Sequence, residues 1–182
     1  MRLFKTLIIL ILSFAIIIFV AFYFFQRSIS DNLKQKNKDV AEQWSNFNSD
    51  LMTRDSLLAS LISNSDSLKY WLQNSIRERN KKENNLDLLF YEYKVNEFVL
   101  THFANQKQVS GFNNELNNDI SKYNSITEEY NKYISVFPNF IVAKNHNYKR
   151  AKFFDISYGR INRDPVQKSK ELPEWAKGVD TN

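Results

Sequence analysis

The chain contains no cysteine among its 182 residues. Disulfides, thiolate metal sites and cysteine nucleophiles are thereby excluded. Glycine and proline are scarce, at three each, and two of each lie beyond Ile156. Ser28 to Phe137 holds one glycine, Gly111, and no proline. Gly111, Gly159 and Gly178 are too scattered for a phosphate-cradling loop, and no Gly-x-Ser-x-Gly elbow occurs. The two histidines, His102 and His146, form no His-x-x-x-His or Glu-x-x-His pair. A histidine metal site therefore has no support, and no cofactor is expected. No nucleophile, base and oxyanion donor can be assembled from the sequence, so a non-enzymatic protein is expected.

A long apolar run is present. Leu7 to Phe25 carries no charge over nineteen residues. As a helix it would extend about 28 Å, close to the hydrocarbon thickness of a bilayer. Arg2 and Lys5 precede it, Arg27 closes it, and Tyr23 lies where aromatic rings favour the interface. A cleaved signal would end in small residues, whereas this run ends in Phe-Tyr-Phe-Phe-Gln-Arg. Residues 1–27 therefore read as a short N-terminus and a single-pass cell-membrane anchor. Arg27, Lys34, Lys36 and Lys38 outnumber Arg2 and Lys5, which tips the following domain towards the cytoplasm. The short basic N-terminus pulls the other way.

The net charge of +5 is unevenly placed. Ser28 to Ala143 has 13 basic and 15 acidic residues, while Lys144 to Asn182 has 9 and 5, a balance of +4. No dense basic stripe suggests a nucleic-acid partner. The simplest reading of the basic end is a solvated segment. A sharper one makes Lys149, Arg150, Lys152, Arg160 and Arg163 candidate contacts for anionic lipid headgroups.

The breaker-free stretch predicts long helices. Apolar residues recur at Ile29, Leu33, Val40, Trp44, Phe47, Leu51, Leu58 and Leu61, with Lys36 and Arg54 completing a three-four alternation. That seam follows the anchor without a break, so one helix is expected to run from the membrane into the domain. Ser63 to Asp66 reads as a break and cap cluster. Leu68, Trp71, Leu72 and Ile76 then mark a second helix, and Asn80 to Asn85 a turn. Leu88, Tyr91, Val95, Phe98 and His102 give one face of a third helix. Asn105 to Ser110 reads as a connection. Glu92, Glu97, Arg77-Glu78-Arg79 and Glu128-Glu129 are expected on solvated faces.

The last long helix carries Leu116, Ile120, Tyr123, Thr127, Tyr130, Ile134 and Phe137 in alternating steps of four and three. Tyr123, Tyr130 and Phe137 are thus expected on one buried, coiled-coil-like face. Asn124 and Asn131 follow the tyrosines, about 100° further round the helix. From that border they can bond a neighbouring helix or a loop backbone. Pro138 stops the helix. Phe140 to Ala143, Phe153 and Phe154 are expected to fold back onto the bundle. The overall expectation is all-α: a transmembrane helix, an antiparallel bundle of about four long helices over 28–156, and a polar, flexible tail over 157–182. Leu172 and Trp175 are weak anchors in that tail.

YNSITEEYNKYISVFPNFIVAK resembles the C-terminal signature of the LemA family, through Tyr123, Asn124, Tyr130, Asn131, Phe137 and Pro138 at fixed spacing. Glu42 to Ile62 resembles the family's first soluble helix, though Ala59-Ser60 replace its usual Pro-Asn, and 65–108 matches poorly. The resemblance implies a divergent member. It also implies a membrane-anchored helical bundle, with no catalytic residues to carry over. The expected function is a scaffold or interaction module in membrane or envelope organisation, with the lipid bilayer and other membrane or envelope proteins as partners. The alternative is a tethered sensor whose bundle binds a ligand and signals through the anchor helix.

Overall fold

The computed structural model describes residues 2–61, 65–81, 85–103 and 107–171, except the side chains of 2–5 and 8. Every regular element among them is helical. Four helices are long: α1 (Arg2–Leu61), α2 (Asp66–Arg79), α3 (Leu86–Phe103) and α4 (Lys107–Ser135). Two are short: α5 (Asn139–Asn145) and α6 (Pro165–Glu171). The expected all-α architecture is present.

α1 is one helix of 60 residues, about 90 Å long. Its first part has a mean hydropathy of 2.6 with no residue buried by the protein, so it is long and apolar enough to cross a membrane. The bundle begins at Ile29, the first buried residue of the seam. Leu33, Val40, Trp44, Phe47, Leu51, Arg54 and Leu58 are also buried, whereas Leu61 is exposed.

α4 packs antiparallel along α1. Lys36 lies 3.7 Å from Glu129 and over the Tyr133 ring, and the Trp44 and Tyr123 rings are 5.1 Å apart. The C-terminal end of α4 therefore returns towards the apolar part of α1. The α2–α3 hairpin covers the far end of α1, where Leu58, Leu68, Leu72, Val95, Val99 and Val109 form a second apolar cluster.

Local signals explain the helix ends. Ser65 caps α2 by accepting from the Leu68 N–H, and Asn85 caps α3 by accepting from the Leu88 N–H at 2.8 Å. Asp164 accepts from the Val166 N–H at 2.8 Å and precedes Pro165, the first residue of α6. After α5, Asn147 adopts a φ of 57° and the Tyr148 N–H reaches back to the Ala143 carbonyl at 2.9 Å. This left-handed C-terminal motif turns the chain back along α4.

Several expectations need correction. Residues 107–110 belong to α4 rather than to a connection, and 105–106 lie outside the described residues, as do 63–64 and 82–84 of the expected turns. The buried stripe of α3 is Leu88, Glu92, Val95, Asn96 and Val99, rotated from the expected face, and His102 is exposed. Glu92, Glu78 and Arg79 are buried, not solvated. Phe137 is 77% exposed, because α4 ends at Ser135 and the chain leaves the seam there. Packing also continues past residue 156. Tyr158 and Pro165 are buried, and α6 contacts α3. Leu172 and Trp175 lie outside the described residues.

Candidate functional site

Residues 148–160 form a non-helical strap that runs antiparallel to α4. Three asparagines seven residues apart on α4 hold it. The side-chain amide of Asn131 donates to the Ala151 carbonyl at 2.8 Å and accepts from the Ala151 N–H at 2.9 Å. Asn124 does the same with Phe154, and Asn117 with Tyr158, all four bonds at 2.9 Å. Asn96 of α3 continues the ladder, donating to the Arg160 carbonyl and accepting from the Gly159 N–H, both at 2.9 Å. Tyr130 and Tyr123 hydroxyls donate to the Lys149 and Lys152 carbonyls at 2.8 Å.

The register follows from two rises. From Asn131 back to Asn117, α4 covers about 21 Å at 1.5 Å per residue. From Ala151 to Tyr158 the strap covers about 23 Å at 3.3 Å per residue. A heptad on the helix thus matches three to four extended residues, and each amide meets the N–H and C=O of one residue. The asparagines stand in for a neighbouring strand, and so satisfy a main chain that lacks its own secondary structure. Phe154, Ile156 and Tyr158 point inward in alternation, and Phe154 packs 4.9 Å from the Phe47 ring.

The strap also closes a buried ion cluster. Arg54 of α1 donates to both Glu92 oxygens, at 2.7 and 3.1 Å, and through Nε to Asp55 at 2.9 Å. Arg79 of α2 bonds Asp55, Ser75 donates to Glu92, and the Tyr158 hydroxyl donates to Glu92 at 2.6 Å. Two cations and two anions balance. Burial pushes the Glu92 carboxyl up, but Arg54 and Arg79 overcome it and hold the group at about 2. Burial works against the Arg54 charge, yet Asp55 and Glu92 raise its pKa well above the ordinary value. Burial and then Glu92 push the Tyr158 phenol well up, so it stays a donor. Buried ion pairs of this kind contribute little net stability but cost dearly when half removed. Here they fix the mutual placement of α1, α2, α3 and the strap.

Beside the strap runs a groove of about 1360 Å³. Its floor is one face of α1, comprising Asn37, Val40, Ala41, Trp44, Ser45 and Asn48. Its walls are strap residues 148–152, α5, and the end of the α2–α3 hairpin at Arg79, Asn80 and Asn85. Among the described residues, four buried side-chain polar atoms lack a hydrogen-bond partner, and three of them belong to groove residues: Trp44 Nε1, Asn48 Oδ1 and Arg79 Nη1. Arg79 Nη1 lies 3.7 Å from Glu92, beyond hydrogen-bond range. Lys144, Lys149, Arg150 and Lys152 are exposed at the rim, and no described lining residue is acidic. The described residues also hold no cluster of three metal-ligating side chains.

Residues 101–167 match the model of the LemA family. Over that segment, the chain is similar to the LemA family. The match takes in α4, α5, the strap and the start of α6, so the matched segment is the asparagine-bearing helix together with the chain it binds. No curated protein and no solved structure matches the chain.

The motif residues of the LemA-like signature divide by role. Tyr123 and Tyr130 are buried with their hydroxyls on the strap, and Asn124 and Asn131 hold its peptide groups. Phe137 and Pro138 form the corner. The five basic candidates for lipid contact are all exposed but do not share one surface. Lys149, Arg150 and Lys152 flank Ala151, at the level of Asn131. Arg160 and Arg163 follow Tyr158, at the level of Asn117, about 21 Å further along α4.

Proposed function

We propose that this protein is a non-enzymatic, membrane-anchored interaction module whose groove receives an acidic segment of another membrane-tethered protein. The groove's rim carries this reading: Lys144, Lys149, Arg150 and Lys152 stand exposed along it, and no described lining residue is acidic. The rim lysines and Arg150 favour negative charge on the arriving segment.

Size favours a polypeptide over a small ligand. Small-molecule pockets usually span roughly 300–1,000 Å³ and enclose their ligand, whereas this groove is larger and open along one side. A scaffold therefore fits better than a small-molecule sensor. Asn37 to Asn48 lies about 15–32 Å beyond Arg27 along α1, which suits a partner's juxtamembrane segment. The flanking charges incline the bundle to the cytoplasmic side. On that reading Met52→Cys, exposed on α1, reacts with an impermeant maleimide only after lysis; labelling in intact cells reverses the orientation.

A photo-reactive residue placed at Ser45 in native membranes tests the groove, with Lys122 on the outer face of α4 as the control. Ser45 should give a discrete adduct that Lys122 does not. Charge reversal at Lys149 and Lys152 should abolish the adduct while the fold is retained. Equal adducts at both positions, or an adduct indifferent to the reversal, contradict the proposal.

A further inference from the structure

The turn between α4 and α5 exposes apolar side chains at the end of the bundle nearest the apolar part of α1. Val136, Phe137, Phe140 and Ile141 are 52%, 77%, 46% and 40% exposed. The Phe137 and Phe140 rings lie 6.3 Å apart. Elsewhere beyond α1's apolar run, the described exposed large apolar side chains, such as Met52, Tyr70 and Ile161, stand singly. Four within six residues form a patch that calls for a partner.

We propose that this corner is a second membrane contact, seated in the headgroup layer of the bilayer that α1 crosses. The inference rests on α1 spanning that bilayer. Position chooses lipid over protein as the occupant. α1 is unbroken from its apolar run into the bundle, so it sets the height of the bundle. Lys36 beside Glu129 and over Tyr133, and Trp44 beside Tyr123, set an antiparallel register that places Val136 and Phe137 level with about residues 30–31 of α1. That level is about 8 Å beyond Phe25, the last residue of the apolar run. The headgroup layer on each face of a bilayer is roughly 5–7 Å thick. The corner of an upright bundle therefore lies at the outer edge of that layer.

Helix tilt brings it deeper. Membrane helices lean by about 20° on average. With α4 packed about 9 Å from the α1 axis, a lean towards α4 lowers the corner by roughly 3 Å. Phenylalanine and branched aliphatic side chains there leave water for the acyl boundary. Arg27, Lys34 and Lys144 are exposed close by and suit the phosphate level. Two contacts, the spanning helix and the corner, would restrict rotation of the bundle about α1 and so fix which way the groove faces.

Depth-dependent quenching tests this on the full chain in nanodiscs. The absence of cysteine permits single labelling sites without background. An environment-sensitive fluorophore is placed at Phe137→Cys, at Ile141→Cys, at Tyr23→Cys within the apolar run, and at Ile161→Cys, which is 96% exposed beyond the far end of the strap. Lipids spin-labelled near the headgroup serve as the quencher. Tyr23→Cys reports the spanning of α1 on its own. The expected result is quenching at positions 23, 137 and 141, with blue-shifted emission, and none at 161. Quenching at 23 with none at 137 and 141 overturns the corner contact while leaving the anchor intact. No quenching at 23 overturns both.

Discussion

The side-chain amide of Asn124 and the main chain of Phe154 exchange two hydrogen bonds, each 2.9 Å long. One side chain of α4 thereby satisfies the N–H and the C=O of one residue in a stretch that has no secondary structure of its own. Removing the amide leaves both groups unpaired beside the core. Asn124→Ala should destabilise the fold by about 2–3 kcal/mol, from two lost bonds and the desolvated groups left behind. A lowered urea midpoint with an unchanged slope would register it.

Asn124→Asp separates the two bonds. The carboxylate can still accept from the Phe154 N–H but faces the Phe154 carbonyl with no proton to donate. Protonation restores the donor, so the folded state raises this group's pKa. For a raised carboxyl, the folded state is favoured at low pH and loses stability as pH rises through the carboxylate range. The variant should therefore regain stability on acidification relative to the parent. A constant difference from neutral to acidic pH would show that the Phe154 carbonyl does not need that donor.

Glu92 gives the opposite sign. Its carboxyl is held at about 2, below the ordinary 4.5, so the unfolded chain takes up the proton first. The stability it contributes is complete above about pH 4.5 and disappears as pH falls towards 2. Glu92→Gln should flatten that part of the acid profile. It should also cost about 3–5 kcal/mol at neutral pH, because Arg54 and Arg79 would then face Asp55 alone. Tyr158→Phe removes one donor to Glu92 and should cost less, about 1–3 kcal/mol.

The two described glycines should respond in opposite directions. Gly111 sits within α4 with open space around it, so Gly111→Ala should stabilise by about 0.5–1 kcal/mol. Gly159 has a φ of +73°, and an added Cβ would lie 2.7 Å from Asn113 Nδ2. Gly159→Ala should destabilise by about 1–3 kcal/mol. Thermal melts of the two variants against the parent check both.

The seam of α1 and the tyrosine face of α4 were legible because burial on a helix repeats in steps of three and four. The Tyr-Asn pairs could be placed at the border of that face, with a loop backbone among their options. Asn117 carries a weaker mark, because Leu116, not a tyrosine, precedes it, although it stands seven residues before Asn124. Charge alone places Glu92 on a solvated face. Its position between Leu88 and Val95 on the buried stripe was the signal against that. The return of Phe154 to the bundle is readable from the sequence, but residues from 157 onward read as a tail because they are polar. Phe154, Ile156 and Tyr158 nevertheless alternate with polar residues, the period-two mark of an extended segment with one buried side. The ion cluster was not readable, since Arg54, Asp55, Arg79 and Glu92 meet only after three helices pack.

The groove proposed for a partner exists only if the strap is zipped to α4. Residue-resolved hydrogen exchange on the full chain in nanodiscs examines that state directly. The amides of Ala151, Phe154, Tyr158 and Gly159 should exchange slowly, like those of α4, because each donates to an asparagine. Alanine at Asn117, Asn124 and Asn131 together should release the first three and leave the α1–α4 seam protected. Exchange of those strap amides at the free-chain rate in the parent protein, with α4 still protected, would contradict the zipped strap and the groove that depends on it.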